Sequence, residues 1–167
     1  MALLLWLLVT AAVANPFTVS VDRIKSTAQG ITLTLSYVNN LPYAMNITLE
    51  WPPAEHAVVT DNHGQEYTLS KSTGMLRRDI EANYDLMYPV YHAKYNPQKH
   101  SIFLHAPPKQ PVKATFLFTR TGKEPPQTVD VTIGHYARPA NSTVGMAPAP
   151  SRTVTFTATF TDVPLSR

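Results

Sequence analysis

Between Phe17 and Phe160 the apolar residues fall on every second position in run after run, and a chain patterned this way buries them as strands with one face inward. Phe17, Val19 and Val21 alternate with Thr18, Ser20 and Asp22, and Ile31, Leu33, Leu35 and Tyr37 with Thr32, Thr34 and Ser36. Met45, Ile47, Leu49 and Trp51 continue the pattern until Pro52-Pro53, where missing amide hydrogens end a ladder. Val112, Ala114, Phe116 and Phe118 form a further inward set, Val129, Val131 and Ile133 another, and Val154, Phe156, Ala158 and Phe160 the last. Turn residues bound these runs: Ala28-Gln29-Gly30, Asn39-Asn40-Leu41-Pro42, Gly122 to Pro126 and Pro139 to Ser151. Short strands with regular turn signals and almost no helical period predict an all-β fold, an antiparallel immunoglobulin-like β-sandwich of about seven to nine strands.

The 167 residues suit one domain, and 44% apolar against 15% charged residues supply a core. Residues 1–14, "MALLLWLLVTAAVA", carry no charged side chain and end in a small-x-small triplet before Asn15. They read as a cleaved signal peptide, leaving 15–167 as the exported sandwich domain in a secreted or periplasmic setting. Spanning a membrane takes about 20 apolar residues, so no integral span is expected once the leader is removed. The chain has no cysteine, which excludes disulfides, thiolate metal sites and cysteine nucleophiles. The net charge of +3 is scattered, with Arg77-Arg78 the densest basic pair, so nucleic acid is not an expected partner.

"TDNHGQEYTLS", Thr60 to Ser70, gathers Asp61, His63 and Glu66 in a way that suggests either a metal loop or a turn. A calcium loop of the helical-hand type needs oxygen ligands at positions 1, 3 and 5 and glycine at 6, whereas here histidine is third and glycine fourth. Asx residues followed by glycine between two β-prone runs are hairpin chemistry, and a turn is the expectation.

"YVNNLPYAMNITLEW", "DNHGQEY" and "APPKQPVKATFLF" together resemble a family of exported bacterial immunoglobulin-like domains of unknown function, over Phe17 to about His135. The resemblance implies an extracytoplasmic sandwich acting as a binding or structural module, with no catalytic residues to carry over. Many members are lipoproteins, and this chain departs from them in lacking the lipid-bearing cysteine.

Function is expected in the long connection Ser70 to Lys99, because a segment of that length in a compact domain is usually structured or functional. It carries Tyr84, Tyr88, Tyr91 and Tyr95, whose spacing suits a short helix over Arg78 to Met87 followed by an extended piece after Pro89. The rings either cover an open end of the sandwich or form an aromatic platform for a protein or glycan partner. His92, His100 and His105 are the alternative, a copper or zinc site, although their spacing matches no compact motif. His56, His63 and His135 read as strand-end or turn residues. No nucleophile elbow, zinc helix or phosphate loop occurs, so the expectation is a non-catalytic module without a cofactor. Sequons stand at Asn46, on a predicted outward face, and at Asn141. The last strand is expected to complete its own sheet, with addition to a neighbour's sheet as the other reading.

Overall fold

The computed structural model describes residues 12–14, 16–50, 53–73, 104–119, 126–140 and 154–165. Their strands are β1 (Ala12–Ala14), β2 (Phe17–Thr27), β3 (Gly30–Asn39), β4 (Met45–Leu49), β5 (Ala57–Asp61), β6 (Glu66–Thr73), β7 (Leu104–Ala106), β8 (Pro111–Thr119), β9 (Thr128–Pro139) and β10 (Val154–Pro164). A single helical turn, α1 (Pro53–His56), interrupts them. All ladders are antiparallel, as the alternation predicts. The strand count exceeds the expected range because β1 and β7 are three-residue pieces.

One layer runs β1-β2-β3-β8-β6, and the other is built on β9, which pairs with β10 along one side and with β5 and β4 in succession along the other. Strand β6 belongs to both: Glu66 and Tyr67 pair with β5, whereas Thr68 to Thr73 pair with β8. The inward sets close between the layers. Phe17, Val19, Ile31, Leu33, Leu35, Tyr37, Phe116 and Phe118 from the first layer, and Met45, Ile47, Val131 and Ile133 from the second, are all fully buried. Each large apolar side chain removed from water in this way contributes about 1.5–3 kcal/mol.

Two departures from simple alternation matter. In β2 a bulge between Val21 and Arg23 lets Asp22 and Arg23 both face solvent and returns Ile24 to the core. The same bulge brings the Asp22 carboxylate within 2.8 Å of the Lys113 ammonium. In the second layer, Leu49 pairs with His135 and Ala57 with Ile133, so the chain leaves the β9 ladder after Leu49 and rejoins it at Ala57, an arch opposite the single residue Gly134. A Cβ there would come within 2.7 Å of the Glu50 carboxylate, which can swing aside, and within 3.2 Å of His56 Cβ, so glycine lets the two ends of the arch sit close over β9.

The β2–β3 hairpin closes over Ala28-Gln29, with Thr27 opposite Gly30. Gly30 has φ +146°, and a Cβ at this position would run into the Phe118 carbonyl oxygen. Both the conformation and the approach exclude a side chain. Gly30→Ala is therefore expected to lower the unfolding free energy by about 2 kcal/mol. An unchanged urea midpoint would contradict this.

Candidate functional site

The turn at Asp61 settles what "TDNHGQEYTLS" is. Gly64 N–H donates to the Asp61 carbonyl at 2.9 Å, and Asp61 N–H to the Gln65 carbonyl at 3.0 Å. One carboxylate oxygen of Asp61 accepts from the amides of His63 (2.8 Å) and Gln65 (3.0 Å), and the other from the Tyr67 hydroxyl (2.9 Å). Burial alone would push this carboxyl up, but the Gln65 and His63 amides, the Tyr67 hydroxyl and the His63 ring together hold it below its ordinary value. Asn62 Oδ1 accepts from the amide of Gln127 at 2.9 Å, pinning the hairpin to the start of β9. The carboxylate is thus taken up by backbone and hydroxyl donors, and among the described residues no group of three metal-ligating side chains occurs.

Among the described residues the most perturbed titratable pair lies in the core. His135, expected near a strand end or turn, sits in the middle of β9 with no exposed surface, because β9 runs six residues beyond Ile133. Its Nε2 shares a 2.9 Å hydrogen bond with the Tyr37 hydroxyl of the facing layer. Phe156 stacks on the imidazole at 4.7 Å and 8°, Phe17 stacks on Phe156 at 4.7 Å and 26°, and Tyr37 meets the imidazole edge-on at 5.3 Å. Burial lowers the His135 pKa to about 3, the backbone of Ile133 and Phe156 recovering only part of the shift, and burial raises the Tyr37 phenol well above its ordinary value. Both groups are neutral at physiological pH and have no exposed surface. They join the two layers.

A second buried polar residue closes one end of the sandwich. Asn39 Nδ2 donates to the carbonyls of Tyr43 (2.8 Å) and Ala106 (2.9 Å), while its Oδ1 accepts from the Leu41 amide at 3.0 Å. Its own carbonyl accepts from Lys109 N–H at 2.8 Å. One side chain therefore ties β3, the turn after it and β7 together.

What faces outward is polar. On the second layer, cross-strand register sets Asn46 between His105 and Arg138, and Tyr136 between Thr48 and Thr155. Beyond them the Glu50 carboxylate lies 3.7 Å from His56 Nδ1, each about one-third exposed. On the first layer a shallow depression of about 430 Å³ has threonine hydroxyls, Gln29 and Lys71 around an apolar part formed with Ala28 and Leu117. Hydroxyl groups dominate both faces; Thr34 and Thr115, for example, bond each other at 3.0 Å across β3 and β8.

Of the expected site residues only His105 is among those described. It is exposed on β7, and its Nδ1 lies 3.1 Å from Asn46 Oδ1, which places the Asn46 side chain on the outward face as expected. Tyr84, Tyr88, Tyr91, Tyr95, His92, His100 and the helix expected over Arg78 to Met87 lie outside the described residues. No helix among the described residues is long and apolar enough to cross a membrane.

Comparison with family models, curated proteins and solved structures returns no match to this chain. The residues and their geometry are what a functional reading rests on.

Proposed function

We propose that this chain is an exported, non-catalytic β-sandwich module, secreted or periplasmic, that contacts a protein or glycan partner through Tyr84, Tyr88, Tyr91 and Tyr95, which follow β6 in the chain, or serves a structural role. The observation that carries this reading is the division of chemistry between core and surface. Tyr37 and His135 are sealed between the layers and the Asp61 carboxylate is taken up by its own turn, while the exposed faces offer threonine hydroxyls, Tyr136, Asn46 and scattered charges. Such surfaces suit recognition by hydrogen bonds and ring contact. The apolar leader and the resemblance to exported immunoglobulin-like domains support the compartment.

The test is cross-linking mass spectrometry on the exported fraction, together with a glycan array, using wild type and a Tyr88→Ala/Tyr91→Ala variant. Loss of partner signal with a melting temperature within about 2 °C of wild type supports the reading, since a surface substitution changes stability little. A large fall in melting temperature shows that the rings are core and removes them as a contact surface. One stoichiometric copper or zinc per chain in a native mass spectrum would replace this reading with metal handling at His92, His100 and His105.

A further inference from the structure

The edges of the two layers are not treated alike. The outer edge of β2 carries the Val21/Arg23 bulge with Asp22 and Arg23 exposed; β1, which pairs with Phe17 to Val19 and also approaches β10, lies within the segment read as the leader and is absent from the exported protein. The outer edge of β6 is broken by a bulge between Leu69 and Lys71. Bulges and charges of this kind stop strand edges from pairing with other chains. Strand β10 has no such guard over Val154 to Phe160: its ladder with β9 is unbroken from Val154↔Ala137 to Phe160↔Val131, and the segment holds no charge, proline or glycine. Its bulge comes only afterwards, at Asp162, where φ is +52°. Among the described residues β9 is the only ladder partner of β10.

The direction of the free backbone groups follows from β9. The Gly134 carbonyl accepts from Glu50 N–H at 2.9 Å, so Gly134 turns its polar groups toward the β4 side, and its β10 neighbour Thr157 does not exchange hydrogen bonds with it. The N–H and C=O groups of Thr157, and by alternation those of Thr155 and Thr159, therefore point away from β9, to the side on which β10 has no ladder partner among the described residues.

We infer that this edge is the interface with a second copy of the chain, joined two-fold and antiparallel about Thr157, so that the two second layers become one continuous sheet. The strand is complementary to itself in this register. Thr157 falls opposite Thr157 of the second copy and Thr155 opposite Thr159, and these are the positions whose backbone groups are free, so hydrogen-bonded pairs form at each. On the core side Phe156 falls opposite Ala158, and Val154 opposite Phe160, setting a large ring against a small neighbour in the first case. On the outer side threonine meets threonine, a favourable cross-strand pair. Because both copies use the same edge, the assembly closes at two. The residues of this edge, Thr155 to Thr159, are not those of the tyrosine connection, so the two assignments are tested by different substitutions and fail independently.

The test is sedimentation velocity of the exported protein from low micromolar to submillimolar concentration, on wild type and Thr157→Lys. Thr157 is exposed, so lysine is accommodated in the fold, but two ammonium groups would face each other on the axis. Wild type is expected to sediment at twice the chain mass, and Thr157→Lys as monomer, its dissociation constant raised at least ~10-fold. The cysteine-free sequence gives an independent check. Opposed α-carbons at about 5.5 Å lie within the span of a disulfide, so Thr157→Cys should cross-link to dimer on mild oxidation. Thr132→Cys, one strand inward on the same face, should not. A wild type that stays monomeric throughout, Thr157→Cys no more cross-linked than Thr132→Cys, or growth into open fibres would each overturn the assignment.

Discussion

Lowering the pH from 7 should cost the folded protein about 2 kcal/mol by pH 5 and about 4 kcal/mol by pH 3, through His135 alone. The imidazole has a folded pKa of about 3 against an ordinary 6.5. Between those values the unfolded chain binds a proton that the folded chain refuses, so stability present above pH 6.5 is lost as the pH falls and this contribution levels off below 3. An imidazolium could not be accommodated without opening the sandwich: Tyr37 from β3 is its hydrogen-bond partner, Phe156 from β10 covers its face, and Leu49 is its neighbour on β4. The Asp61 carboxyl, held below its ordinary value, adds a loss of the same sign at the acid end. His135→Gln keeps a neutral group able to bond the Tyr37 hydroxyl but removes the titration. Urea midpoints measured from pH 7 to 4 should fall steeply for wild type and much less for the variant, after both are corrected to their neutral values. Equal slopes would show that His135 is not the acid-labile group.

The second large effect is expected at Asn39. Asn39→Leu preserves volume but strands the buried Ala106 carbonyl and removes the part-buried bonds to the Tyr43 carbonyl and the Leu41 amide, and the expected loss is about 3 kcal/mol, since a buried group left without a partner costs about 1–3 and a part-buried one less. Asn39→Asp should be nearly as damaging, because it keeps the acceptor for Leu41 N–H while aiming a charged oxygen at two carbonyls. A loss under about 1 kcal/mol in chemical denaturation would mean that water reaches these groups.

Strand phases were legible because a half-buried strand writes its inward face into every second residue. Ile31 to Tyr37 and Val112 to Phe118 needed nothing more, apart from the half-buried Val112 at one end. The turn at Asp61 was legible for a local reason, the Asx side chain bonding amides two and four residues on. The β2 bulge was hidden because Asp22-Arg23 reads equally well as the strand's end. The far half of β9 was hidden because a histidine at an inward position reads as polar, and only its pairing with Tyr37, 98 residues away, makes burial affordable. A period of two carried through Ile133, His135 and Ala137 was the available signal. Asn39 posed the same difficulty, since its partners on β7 come from a segment far along the chain.

The arch over Gly134 gives the second layer a splice point. Strands β4 and β5 lie end to end on the same edge of β9, each holding its own register, so the length of chain between Leu49 and Ala57 is uncoupled from the alignment of the layer. Longer or entirely different sequences inserted between Glu50 and His56 would leave the flanking pairs intact and emerge from the middle of a sheet face rather than from an end loop. The sandwich can thereby vary what it displays at mid-face without refitting its core.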